Sequence, residues 1–220
     1  MPKVAYHADI SAMSGKQGDQ VYAESRMGGV RKSRVIPMNP NTPAQAAARK
    51  AFGQGSATYS QLGPDNVAQW ENYAAGLRVT DPITGRAYAP TAGTVFTGLT
   101  SKFLQATPNG AVPLLPPSSR FGGDGITVSA APGSGGIVFT GSGENGLDIQ
   151  TELMVQKLPN GNRKPGKGKY RMKGFVGFAP GHLSQTVPLA PGRYACAYKF
   201  VYLATGQSST ETPIGVVVVA

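Results

Sequence analysis

Pro37, Pro40 and Pro43 recur at every third position of the run Ser33 to Phe52, SRVIPMNPNTPAQAAARKAF. Each proline fixes its own φ and pushes the residue before it out of the helical region, so the chain must run extended until the last of them. A helix then starts with several signals together. Thr42 stands at the cap, Pro43 at the first helical position, and Gln45 three residues after the cap, where it completes a capping box. The junction therefore joins an extended arm to a helix, and the sequence on either side must fold around that join.

Upstream, Val4, Tyr6, Val21, Tyr22, Val30, Val35 and Ile36 are separated by Ser14-Gly15 and Gly28-Gly29. This reads as short strands joined by glycine turns. The apolar residues are too few for a core, and isolated ribbons are marginal in water, so residues 1–40 are expected to lean on the rest of the chain or on another subunit.

Downstream, Ala44, Ala47, Ala48, Ala51 and Phe52 fall at helical spacing as far as about Tyr59, a small flat face suited to close packing. Gly53 and Gly55 weaken the far end of that helix. Pro64 opens a second helix, marked by Val67, Trp70, Ala74 and Leu77, and Asp65 in its first turn offsets the helix dipole. After the turn-like DPITGRAYAPTAG, Val95, Phe96, Leu99 and Phe103 mark a third. The three are expected to pack around Trp70 as core anchor. Residues 107–118, TPNGAVPLLPPS, contain four prolines and no charge, which predicts a stiff connection and a domain boundary.

Beyond it the period changes. Ile126-Val128, Ile137-Phe139, Ile149-Val155, Tyr170-Phe178, Gln185-Leu189, Tyr194-Leu203 and Pro213-Val219 are short apolar runs bounded by Gly, Pro, Asn or Ser. The whole is predicted to be mainly β. Its organisation is an extended β-hairpin arm (1–40), a small helical segment (41–106), the linker (107–118) and an antiparallel sandwich of the immunoglobulin or fibronectin type III kind (119–220). The cysteine pair and tryptophan of antibody domains are missing, so the sandwich rests on strand count alone. The final IGVVVVA is continuous rather than alternating, so it is either buried on both faces or exposed and open to aggregation.

Net charge is +10 although charged residues are only 15% of the chain, and its distribution is uneven. Residues 1–50 carry eight basic and three acidic groups, and 151–200 carry nine basic groups against Glu152 alone. The two concentrations are Arg31, Lys32 and Arg34 in the arm, and Arg163, Lys164, Lys167, Lys169, Arg171 and Lys173 in the loop PNGNRKPGKGKYRMKG. GKGKY is not the nucleotide-binding glycine motif, because it lacks the upstream glycine and the Ser or Thr after the lysine. The loop reads as a basic finger with salt-sensitive affinity for an acidic surface. Protein is favoured over nucleic acid, since Tyr170 is its sole aromatic.

Chemistry is poorly supplied. The soft ligands are His7, His182 and Cys196, widely spaced, so neither a zinc site nor a thiol–base pair is expected. Cys196 reads as a small buried hydrophobe in a strand. Gly122 to Gly125 and Gly141 to Gly146 read as strand-connecting turns rather than calcium loops. No catalytic residue, cofactor or metal is expected. No apolar run is long enough to span a bilayer, and MPKVAYHADI lacks the apolar stretch of a signal peptide, so folding in the cytoplasm of the producing cell is expected and no membrane partner.

Gly15, Gly18, Val21, Gly29, Arg31, Pro37, Asn39, Pro40, Thr42, Gln45, Arg49 and Phe52 together form a pattern. It comprises a glycine turn with a following valine, a second glycine with a basic residue, then Asn-Pro-x-Thr-x-x-Gln, an arginine and a phenylalanine. This resembles the N-terminal module of a family met in phage, prophage and bacterial genomes, over about the first third of the chain. The resemblance implies a β-sandwich end and a virion or surface structural role, and it brings no catalytic residues. The expected form is a protein that decorates or braces a phage capsid and binds capsid or other virion subunits and copies of itself. A self-assembling fibre or tube subunit is the first alternative, and a basic nucleic-acid-binding protein the second.

Overall fold

The computed structural model describes residues 14–25, 28–34, 41–80, 85–166 and 168–220. The strands expected around Val4 and Tyr6, the proline run through Pro37 and Pro40, the turn at Asp81, and His7 and Lys167 lie outside these. The chain divides into two compact units, with the boundary between Thr42 and Pro43.

The first unit is an antiparallel ribbon of β1 (Gly15–Gln17), β2 (Gln20–Ser25) and β3 (Gly28–Ser33), in that order. The turn between β1 and β2 is Gly18-Asp19, with Gly18 at φ +56°. A two-residue hairpin loop needs positive φ at its first position, and glycine adopts it without a Cβ clash. The glycines expected to make turns sit elsewhere: Gly15 opens β1, and Gly28-Gly29 open β3. β2 and β3 pair from Gln20↔Ser33 to Ser25↔Gly28, and the Arg34 N–H donates to Asp19 O at 2.6 Å.

The second unit begins with α1 (Pro43–Ser60) and α2 (Pro64–Ala75), followed by a small hairpin of β4 (Val79–Thr80) and β5 (Ala87–Tyr88) and by α3 (Ala92–Ala106). α3 is capped by Thr91, whose hydroxyl accepts from Thr94 N. Trp70 is 2% exposed and meets Phe96 edge-on at 5.0 Å, with Tyr73, Ala74 and Ala92 around them. Gly55 is a point of close approach rather than a weak end of α1: a Cβ there would lie 3.3 Å from the Thr100 methyl of α3. Bare backbone at this crossing lets the two helices meet. The first two turns of α1, Pro43 to Lys50, are exposed throughout, so of the alanine face only Ala51 is buried.

Residues 107–118 do not separate two units. Leu114 O accepts the Trp70 indole N–H at 2.8 Å, and Val112 packs against both helical clusters, so this proline-rich stretch is fastened to the helices. Low charge and fixed φ values suit it to lie against protein as well as to span water.

Seven antiparallel strands complete the fold: β6 (Val128–Gly133), β7 (Gly136–Gly141), β8 (Ile149–Leu158), β9 (Arg171–Val176), β10 (Ser184–Pro188), β11 (Gly192–Tyr202) and β12 (Thr212–Val219). They form two sheets, ordered β10-β7-β6 and β12-β11-β8-β9. Both contribute to one core. Val128, Ile137, Phe139 and Val187 from the first sheet meet Leu153, Val155, Tyr194, Cys196, Tyr198, Phe200, Val217 and Val219 from the second. Strict alternation in β11 sends Tyr194, Cys196, Tyr198 and Phe200 inward and turns Ala195 and Ala197 to the outer face. β12 does not follow the two-face expectation: Val217 and Val219 are buried, whereas Val216 and Val218 are 42% and 53% exposed.

The helices dock on this half through α3. Lys102 Nζ lies 3.0 and 3.1 Å from the two carboxylate oxygens of Glu152 on β8, and sits 5.7 Å from the Phe175 ring centroid. Gly206, between β11 and β12, fits against the Leu99 carbonyl so closely that any side chain would overlap it. The protein is thus mainly β, with three short helices among the described residues.

Candidate functional site

The ribbon places its cations by the two-residue period of a strand. Lys32 stands opposite Val21, and on the other side of Val21 stands Lys16, so one face carries the row Lys16-Val21-Lys32. Arg31 stands opposite Tyr22 on the other face, and Arg34 follows β3. Arg31, Lys32 and Arg34 are all exposed. Val21, Tyr22 and Val30 are only half-covered, and Gly29 is the one buried residue among those whose burial is described in the ribbon.

In the second unit the basic loop is a strap, not a projecting finger. Gln156, on the outer face of β8, accepts the Gly166 N–H through Oε1 at 3.0 Å, and Asn160 Oδ1 accepts the Arg163 N–H at 3.1 Å. Tyr170 at the far end is buried with Met154, Leu158, Ala195 and Ala197. Burial pushes the Tyr170 phenol above its ordinary pKa, with smaller contributions from Glu211 and Cys196. The strap lies back on the sheet because the outer face of β8 and β11 is apolar and needs covering. Its side chains Arg163, Lys164 and Lys169 remain exposed, as do Arg171 and Lys173 on β9. Arg193, across from Leu158 on the same face, has its guanidinium under Gly161, and its Nε is buried without a hydrogen-bond partner. The ribbon cations and the strap cations belong to different units.

Lys102 carried no signal of its own in the sequence, although Glu152 did. A single carboxylate on an inward-alternating strand within a strongly basic run needs a nearby cation, and α3 supplies it from 50 residues away.

The remaining polar groups are used structurally. The Asp124 carboxylate accepts from Gly125 N, Gly146 N and Asn145 Nδ2 at 2.7 to 3.0 Å, while Asn145 Oδ1 accepts from Phe178 N at 2.7 Å. This clamp joins the segment before β6 to the loops after β7 and β9. Among the described residues no three His, Cys, Asp or Glu side chains come together as metal ligands would. Cys196 is fully buried between the sheets, and burial pushes its thiol up to about 11, which suppresses the thiolate. His182 is exposed on the turn it closes with Ala179. Thiol and imidazole are therefore in different environments and form no nucleophile–base pair.

The apolar groove between α1, α3 and β9, about 290 Å³, is lined by Ala47, Ala51, Leu104, Pro108 and Met172. Lys50, Gln54 and Gln105 are the polar residues on its lining. Among the described residues no helix is long and apolar enough to cross a membrane. No model of a known protein family matches the chain, and no curated protein is significantly similar to it.

Proposed function

We propose that the chain is a non-enzymatic virion structural protein that decorates or braces a phage capsid. In this reading the ribbon and the exposed cations of the strap contact neighbouring subunits. The observation that carries it is the ribbon: three paired strands with exposed cations on both faces, half-covered apolar side chains and, among the residues whose burial is described, only Gly29 buried. Such an element has too little core to hold itself together, and an acidic protein surface would supply both the missing cover and the countercharge. The Asn39-Pro40-Asn41-Thr42-Pro43-Ala44-Gln45 element and its resemblance to a phage-associated module support the virion setting.

The seven-stranded half we read as a fibronectin type III-like sandwich. Two features support this. The sheet orders β10-β7-β6 and β12-β11-β8-β9 are those of a three-plus-four Greek-key arrangement. The Tyr194 hydroxyl donates back to Ala190 O at 2.8 Å at the start of β11, two residues before Cys196, in the manner of a tyrosine corner.

The test is labelling of virions released by a cell that carries the gene, using an antibody to the purified protein. Label on capsids supports the reading, and label confined to the cell debris overturns it. A second reading, a self-assembling fibre or tube subunit, is favoured by the half-covered apolar side chains of the ribbon, which the next copy would cover. Light scattering after size exclusion separates the two: rods or very large particles formed by the protein alone would replace the decoration reading.

A further inference from the structure

The sheet β12-β11-β8-β9 has two edges, and they are built in opposite ways. β9 carries exposed Arg171 and Lys173, and its pairing to β8 shifts register between Leu153 and Met154. Charge and irregularity of this kind prevent another strand from adding. β12 has neither device over its last residues. Gly215 to Val219 pair regularly with Cys196 to Gly192, the register shift between Cys196 and Ala197 comes at the other end of the strand, and Thr212 to Val219 contain no charge. β12 pairs with β11 alone. Its outward valines, Val216 and Val218, are 42% and 53% exposed. The neighbouring strand of the other sheet, β6, is VSAAPG and is also uncharged.

We infer that two copies of this chain pair through β12, antiparallel, to join their four-stranded sheets into one of eight. A two-fold axis through Val217 sets Val216 of one copy opposite Val218 of the other. The four outward valines then cover one another in a single row, and each open backbone edge gains a partner. Charge selects this surface for a second copy. Within the second unit, like charge disfavours self-contact wherever cations of the four-stranded sheet would meet, and β12 is the edge farthest from Arg171 and Lys173. At about 4.8 Å per strand, pairing at β12 leaves the two β9 strands roughly 33 Å apart, several Debye lengths of about 8 Å. The two Arg193-bearing β11 strands stand about 14 Å apart, still beyond one Debye length. Because the contact is isologous it closes on itself and stops at two. The inference goes beyond the functional reading above and can fail or hold independently of capsid labelling.

Light scattering after size exclusion, on the full chain over a range of concentrations, tests it. The expected result is a mass twice that of one 22.8 kDa chain, halved in the variant Val216→Lys/Val218→Lys. Because that variant could misfold, a second measurement uses cysteines. A mixture of Val216→Cys and Val218→Cys chains should form an intermolecular disulfide under mild oxidation. The control Leu147→Cys, 89% exposed in the loop after β7, should not, and native Cys196 is buried and silent. A monomer at every concentration, a dimer that survives both lysines, growth beyond two, or equal cross-linking in the control would each overturn the pairing.

Discussion

The ribbon of residues 15–33 and the paired sheets of residues 128–219 obey the same antiparallel rules and reach opposite relations with water. In the paired sheets alternation has a purpose: every second side chain of β11 enters a core shared with the facing sheet, and Cys196 and Phe139 reach 0% exposure. Among the described residues the ribbon has no facing layer within its own unit, so the same alternation distributes Val21, Tyr22, Arg31 and Lys32 over two faces on which the apolar side chains are only half-covered and the cations exposed. The lesson is that pairing gives a strand its register, while a second layer gives it stability.

Mutation can sharpen the contrast. Phe139→Ala should cost about 3–5 kcal/mol of unfolding free energy in urea, because it empties a fully buried aromatic site. A loss under about 1 kcal/mol would mean that the facing sheets are not the stabilising layer.

The next effect is titration of Cys196. Its folded pKa is raised, so the stability it contributes is complete below the unfolded value near 9 and is lost as pH rises towards about 11. At full deprotonation the loss approaches about 3 kcal/mol. Stability followed from pH 8 to 11 should therefore fall more steeply in the native chain than in Cys196→Ala, and equal slopes would count against a buried thiol.

Smaller again is Lys102→Ala, which strands the Glu152 carboxylate at the helix–sheet contact. A cost of about 1–3 kcal/mol is expected, discounted because Lys102 is partly exposed. Lys102→Met should recover part of it if packing over Phe175 contributes.

The smallest change belongs to the ribbon. Val21→Ala should alter the thermal unfolding of the second unit by less than about 0.5 kcal/mol. A larger shift would show that the ribbon is part of the same cooperative structure.

Legibility in the sequence follows the same divide. Most strands of the paired sheets were readable because a buried inner face forces alternation, as the run from Tyr194 shows plainly; the first was expected at Ile126-Val128, but β6 runs Val128–Gly133, where small residues and a proline give little apolar signal. The helices were readable from Pro43, Pro64 and the periodic residues around Trp70. What escaped depends on partners distant in sequence or on backbone conformation. Nothing local in PGKGKYRMKG says that Gln156 will accept the Gly166 N–H and hold the basic loop against the sheet. Nothing in α3 says that Lys102 will find Glu152. In the ribbon several glycines compete for the turn, and Gly15 and Gly18 both have positive φ; only the pairing of Gln17 with Gln20 settles that Gly18 makes it. The candidate contact residues were legible as charge clusters. Their division between arm and C-terminal part was legible too, from the break at the proline run; what composition did not record is that the second cluster lies in a loop fastened to the sheet.

The fastening of Leu114 to Trp70 has a practical consequence. Trp70 is the only tryptophan in the chain, and it lies wholly within the helical cluster, with its indole N–H donated to a backbone carbonyl. Its emission therefore reports one layer of the molecule. A red shift would time the release of the 107–118 segment and the wetting of the helices, while tyrosine and circular dichroism follow the sheets. The protein thus carries its own spectroscopic label, placed where the order in which its layers come apart can be read without adding a dye.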